Sequence, residues 1–264
     1  MAMPDTADPA VATIVDDLRA GIAEALQDRL AGLYLTGSLI AGDFDAAVSD
    51  IDCVALLTAP PTERELQVLR PLHTVFVERH PAWADRIEVV YAATTTVNAW
   101  ATATDAMIVI SPGEPIHLIT AGADWVLSWY PARAEGVSLI GPPISSLVRP
   151  VAEADFIVAV TGHMRRFADR VPDDASPGSQ AYAILTICRG MLACTEGVRA
   201  SKRVAAEWAM AEFPQWAALV ADALQWRQGQ WNQQPGAGAA TVGATRAFVA
   251  DMSARIPRDG PGPR

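Results

Sequence analysis

Leu33-Tyr-Leu-Thr-Gly37-Ser38 and, with eleven residues between Ser38 and Asp50, Ser49-Asp50-Ile-Asp52 decide the fold. An apolar strand ends on Gly-Ser, and a second strand opens on two acids at i and i+2. Alternate residues of a strand project to one side, so Asp50 and Asp52 share a face. Two carboxylates a few ångströms apart repel each other unless a cation sits between them. Mg²⁺ suits such a pair, because it takes one or two protein carboxylates and fills its shell with water and substrate phosphate oxygens. Gly37 lets the backbone approach a phosphate closely, and Ser38 offers it a hydroxyl and an N–H. Asp-x-Asp alone is common in solvated turns; the Gly-Ser at the end of an apolar strand is what gives it context. The fragment reads as a metal–nucleotide site.

Composition sets the outer bounds. The chain has 264 residues, of which 51% are apolar and 19% charged, as expected of a folded protein with room for two modest domains. No apolar run approaches the length of a membrane span, and Met1-Ala-Met-Pro-Asp5 lacks a signal peptide's basic start. Three cysteines, Cys53, Cys188 and Cys194, cannot all pair. The expectation is a cytoplasmic monomer without membrane association. A formal charge of −10 argues against nucleic acid as a partner, since duplex binding needs a basic stripe. An acidic surface attracts cationic small molecules instead.

Helical spacing of Val11, Ile14, Val15, Leu18, Ile22 and Leu26 predicts a helix from about Pro9 to Arg29. Leu33–Thr36 and Ile51–Leu57 follow as strands. Thr62 and Glu65 have the spacing of a capping box opening a helix that runs to about Arg79. Ile87–Tyr91 is the next strand, and Met107–Ile110 with Ile116–Ile119 form a pair around Ser111-Pro-Gly-Glu114. The character changes near Gly141-Pro-Pro, after Pro150 almost no strand signal remains, and 151–170, 179–197, 203–212, 216–231 and 241–256 read as helices. The fold class is therefore α+β, a mixed sheet covered by helices followed by an all-helical domain. The expected boundaries are 1–145, 146–257 and a disordered tail, 258–264.

Glu88 is the third candidate acid. It stands inside the apolar strand Ile87-Glu-Val-Val, where an uncompensated charge is costly to bury unless that position faces solvent or a site. The four histidines share no metal-ligand spacing. Cys188 and Cys194 read as small core hydrophobes, Gly190 as a place of close packing and Gly197 as a helix C-cap.

Gly37-Ser38, the spacer and Ser49-Asp50-Ile-Asp52 resemble the signature of the DNA polymerase β-like nucleotidyltransferase superfamily. Ser138-Leu-Ile-Gly-Pro-Pro, Arg149-Pro-Val-Ala-Glu153-Ala-Asp155-Phe, Ala183-Ile-Leu-Thr-Ile-Cys-Arg189 and Ser201-Lys202-Arg203-Val-Ala-Ala-Glu207-Trp208 are similar to the aminoglycoside (3'')(9) adenylyltransferases. That resemblance implies a nucleotidyltransferase domain and a helical domain enclosing ATP and an aminocyclitol antibiotic, with AMP passed to a hydroxyl of the drug. It implies Asp50 and Asp52 as ligands of two Mg²⁺ ions and Glu88 as base, metal ligand or both. Gly37, Ser38 and Ser49 would lie at the phosphates, with Arg189 and Lys202 on the triphosphate. The acceptor half departs from the family. Ser179 stands where streptomycin-handling members place an acid, Arg227 replaces a Tyr of the penultimate helix, and Gly122–Trp125 offers no match for a family Trp. Spectinomycin is therefore the favoured drug, and antibiotic resistance the implied role. Two alternatives remain at this stage, a nucleotidyltransferase acting on a protein or a tRNA end and a degenerate nucleotide-binding regulator.

Overall fold

Apolar residues at positions i, i+3 and i+4 bury one stripe of α1 (Pro9–Leu26), from Val11 to Leu26, and a single 3-10 turn carries the chain into β1 (Leu30–Thr36). The computed structural model describes residues 9–167, 171–228 and 238–256. The chain falls into two compact units, Met1–Val151 and Ala152–Arg264.

The first unit is built on a six-stranded sheet in the order β5-β4-β3-β2-β1-β6. Its other strands are β2 (Ile51–Leu57), β3 (Ile87–Ala93), β4 (Ala106–Ser111), β5 (Glu114–Thr120) and β6 (Val137–Ile140). Only β2 and β3 run parallel, with α3 (Glu63–Arg79) as the crossover between them. Strand parity sorts the core. Leu33, Leu35, Ile51, Cys53, Leu57, Val89 and Tyr91 face α1 and α3. Tyr34, Val54, Leu56, Val90 and Ala92 face the opposite layer, which includes Val97, Trp129 and Ile144. Each fully buried aliphatic side chain of these layers contributes roughly 1.5–3 kcal/mol of transfer free energy.

The capping box forms as expected. Thr62 Oγ1 accepts the Arg64 N–H at 3.3 Å, and Glu65 Oε2 accepts the Thr62 N–H at 2.8 Å. Burial pushes the Glu65 carboxyl up, but the Thr62 hydrogen bonds and Arg29 overcome it and hold the group down at about 2. The β4–β5 hairpin is present too, with Gly113 at φ 77°. On the α3 face, His73 is buried and its Nε2 lies 2.7 Å from Tyr91 Oη; desolvation draws this histidine down to about 4, so it is a neutral partner near neutral pH.

Three features differ from the sequence expectation. β6 is a strand, antiparallel to β1, in a stretch to which the sequence pattern assigned no strand. Its four residues pair with a strand about a hundred positions earlier, which no local pattern records. α4 (Thr94–Asn98) and α5 (Val126–Glu135) also went unread; α5 carries Pro131 in its interior, normally a helix breaker.

A short helix, α6 (Ile144–Leu147), ends the first unit; the second contains α7 (Glu153–Phe167), α8 (Pro177–Glu196), α9 (Lys202–Glu212), α10 (Ala217–Gln228) and α11 (Ala239–Arg255), with α8 packed against the other four. Gln180 on α8 is fully buried and satisfied. Its Nε2 donates to the carbonyls of Ala175 and Gly238, and its Oε1 accepts from Thr241 and Thr245. Gly190 lets α7 approach, because a Cβ there would run into the Met164 side chain, and Gly197 ends α8 in the left-handed region at φ 67°. Cys53, Cys188 and Cys194 are buried free thiols. No helix among the described residues is long and apolar enough to cross a membrane. Trp231 and the tail 258–264 lie outside the described residues.

Candidate functional site

β1 delivers Thr36 opposite Asp52, and the chain leaves it through Gly37 at φ 70°, ψ −152°. Only glycine adopts that conformation readily. Space demands it as well, because an ideal Cβ on Gly37 would stand 2.5 Å from Asp52 Cγ. The glycine is thus fixed by the carboxylate beside it. Ser38 then opens α2 (Ser38–Ala41), and Gly42 closes that turn at φ 72°.

Gly37→Ala is expected to cost about 1–3 kcal/mol in stability from the backbone alone. If the turn serves the nucleotide transfer expected from the sequence, displacing Asp52 should lower it by roughly 10²-fold, the usual penalty of an ångström-scale misplacement. Thermal melts and transfer rates check it, and an alanine variant equal to wild type in both would refute the assignment.

Residues 43–49 fold back on themselves before β2. Ser49 Oγ accepts the Asp45 N–H at 2.9 Å, and Asp45 O accepts the Ser49 N–H at 2.7 Å. Ser49 is buried, so in this structure its hydroxyl is turned to the loop backbone. Asp50 comes next, followed by β2, whose parallel register sets Asp52 beside Glu88. Adjacent strands lie about 4.8 Å apart. Parity places Asp50, Asp52 and Glu88 on the face that bears Val54 and Val90. Asp50 and Asp52 are half-buried, and Glu88 is exposed. The Asp52 charge is felt beneath it: burial, and then Asp52, push the Cys53 thiol far above its usual range.

The sequence did not announce Arg86. Its guanidinium lies 4.3 Å from the centre of the Trp83 ring, and Phe44 stacks on the same indole at 6.4 Å. Burial draws this guanidinium down from its usual value, while Asp50 and Asp45 oppose that shift. The only trace in the chain was an arginine two residues ahead of Glu88.

No three His, Cys, Asp or Glu side chains among the described residues form a cluster able to hold a metal ion by themselves. The donor set still fits Mg²⁺, which prefers one or two carboxylates with phosphate and water to an all-protein cage. Two half-buried carboxylates at i and i+2 beside a glycine-led turn meet that requirement.

In the second unit, α8 and α9 bring the two expected cations to one edge. Arg189 on α8 donates through Nε to Ala200 O at 3.1 Å, just ahead of α9. Lys202, the first residue of α9 after its Ser201 cap, holds its Nζ 5.5 Å from the centre of the Tyr182 ring. Tyr182, two turns before Arg189, is an exposed aromatic that the sequence reading passed over. Ser179 belongs to the N-terminal turn of α8, its N–H donated to Ser176 Oγ.

Residues 146–254 match the family model described as the aminoglycoside adenylyltransferase C-terminal domain. Curated aminoglycoside (3'')(9) adenylyltransferases of Klebsiella pneumoniae and Shigella flexneri are each 34% identical to this chain over 100 residues. Each of those matches covers 38% of this chain and 37% of the relative. A crystal structure of the spectinomycin adenyltransferase AAD(9) from Enterococcus faecialis, with ATP and spectinomycin, superposes with a TM-score of 0.72 at 15% identity. It covers 90% of this chain and 99% of that one, a likeness of fold that extends through both units. The helical unit is thus similar to the aminoglycoside adenylyltransferase C-terminal domain, and the fold of the chain is like that of a solved spectinomycin adenyltransferase.

Proposed function

We propose that the chain transfers AMP from ATP to a hydroxyl of an aminocyclitol, spectinomycin in preference to streptomycin. The observation that carries this reading is the register of β2 and β3, which puts Glu88 beside Asp52 on the face shared with Asp50, next to the Gly37-Ser38 turn. Ser38 and the turn around it hold the phosphates. Asp50 and Asp52 would hold Mg²⁺, which would supply neutralising charge to the nucleotide. Glu88 takes the proton of the acceptor hydroxyl. As the hydroxyl oxygen bonds to the α-phosphorus, the α–β anhydride bond breaks and pyrophosphate leaves with the electron pair. Lys202 and Arg189 supply positive charge for the triphosphate and the departing pyrophosphate.

The acceptor class is taken from the likeness to the spectinomycin adenyltransferase and the curated relatives, and the charge of the chain accords with it. A chain at −10 favours a cationic hydroxylated molecule over a nucleic acid. At the start of α8, Ser179 offers a hydroxyl where a guanidinium would need a carboxylate. A missing charge-assisted hydrogen bond costs roughly 1.5–3 kcal/mol, enough to weaken streptomycin about ten- to a hundredfold. Radiolabelled AMP transfer from ATP, compared across the two drugs, tests the proposal. Spectinomycin is expected to be the better acceptor; equal or faster turnover of streptomycin overturns the preference, and transfer to neither overturns the acceptor class.

A further inference from the structure

We propose that Arg86 is a positioning residue for the metal-binding acids, gripping the chain on both sides of Asp50 and so fixing Asp50 and Asp52 relative to Glu88. The inference rests on the function proposed above and adds a residue to its machinery. Asp50 lies just outside β2, so the strand ladder does not hold it. Arg86 does. Its Nε donates to Ser49 O at 3.2 Å, and Nη2 donates both to that carbonyl and to Ala46 O, the latter at 2.9 Å. The main-chain carbonyl of the same residue accepts the Ile51 N–H at 2.9 Å. One residue therefore holds the carbonyl before Asp50 and the amide after it.

The support behind this grip is rigid. The guanidinium stacks on Trp83, which is buried, and Phe44 stacks on the same indole. Both ends of the loop that leads to the acids are thereby tied to the segment entering β3. Arg86 precedes Glu88 by two residues, as Asp50, whose flanks it holds, precedes Asp52, and Asp52 pairs with Glu88 in the parallel register. The clamp therefore ties the two metal acids to the strand that carries the base. Lysine cannot reproduce it. A point charge lacks the planar fork that donates to two carbonyls at once and the flat surface that stacks on an indole.

The test uses full-length wild type, Arg86→Gln and Arg86→Lys. Mn²⁺ binding in the presence of a non-hydrolysable ATP analogue is followed by electron paramagnetic resonance, and the Mg²⁺ dependence of transfer is measured beside it. Partners that orient metal ligands are typically worth 10–100-fold in metal affinity, so Arg86→Gln should raise the Mn²⁺ dissociation constant by about that factor. Arg86→Lys should fall between Arg86→Gln and wild type. Affinity for the analogue without metal should stay within about twofold, since the fork touches only protein carbonyls.

A role confined to stability would lower the melting temperature and leave Mn²⁺ affinity of the folded protein unchanged, and that result overturns the proposal. Should Arg86→Gln fail to fold, Arg86→Lys, which keeps the charge and most of the stem, carries the same test. Variants indistinguishable from wild type defeat this inference alone. A wild-type protein that binds no Mn²⁺ with nucleotide defeats the proposed function along with it.

Discussion

Asp50→Asn and Asp52→Asn should each lower Mg²⁺-dependent AMP transfer by at least about 10³-fold while leaving the fold intact. A bound metal ion contributes several kcal/mol of charge stabilisation in the transition state, and about 4 kcal/mol corresponds to that factor. Asparagine keeps the size and one oxygen of each side chain but removes the charge that a hard cation requires. Stability should change far less than transfer. In the metal-free protein the two carboxylates face one direction from positions i and i+2, and Asp52 sits against a buried thiol. Removing one of two like charges relieves their mutual repulsion, so the metal-free melting temperature of Asp52→Asn should not fall, whereas Asp50→Asn also gives up attraction to Arg86. Transfer assays over a Mg²⁺ series, with melts in chelator, give both readouts. Undiminished transfer in both variants would sink the assignment of the metal pair.

What was legible in the chain and what was not divide along physical lines. Ile51–Leu57 could be read to the residue because its apolar run is bounded by acids and by a proline pair. The start of α3 was equally plain, since Thr62 and Glu65 act within one turn and their spacing is the mechanism itself. The Gly37 turn was visible because glycine chemistry is local, although its cause, the carboxylate of Asp52, comes from another strand. β6 escaped because its identity depends on β1, and α5 because Pro131 contradicts its helix. Arg86 escaped for a related reason. Its partners are main-chain carbonyls some forty residues away, and a carbonyl leaves no trace in residue types. The Ser49 hydroxyl, read as a phosphate contact, also accepts an N–H of the loop that Arg86 clamps, a bond that residue types alone do not record. Sequence patterns name the groups that meet substrate; tertiary contacts name the groups that hold them still.

Glu88→Gln separates the two roles open to the third acid. Glu88 is exposed on a strand of otherwise buried residues, immediately beside Asp52 in register. An exposed carboxylate there has access to an incoming hydroxyl and can also lean toward a cation held by its neighbour. Glutamine preserves length and hydrogen bonding but cannot accept the proton. If Glu88 is the base, transfer should fall by about 10²–10⁴-fold with ATP affinity and the Mg²⁺ requirement nearly unchanged. The acidic limb of the pH–rate profile should vanish with it, because that limb reports protonation of the base. A metal ligand behaves differently. Its loss raises the Mg²⁺ concentration needed for half-maximal rate, and excess Mg²⁺ restores much of the activity. Rescue of Glu88→Gln by Mg²⁺ would move Glu88 from the acceptor hydroxyl to the metal, and full activity in the variant would remove it from the site altogether.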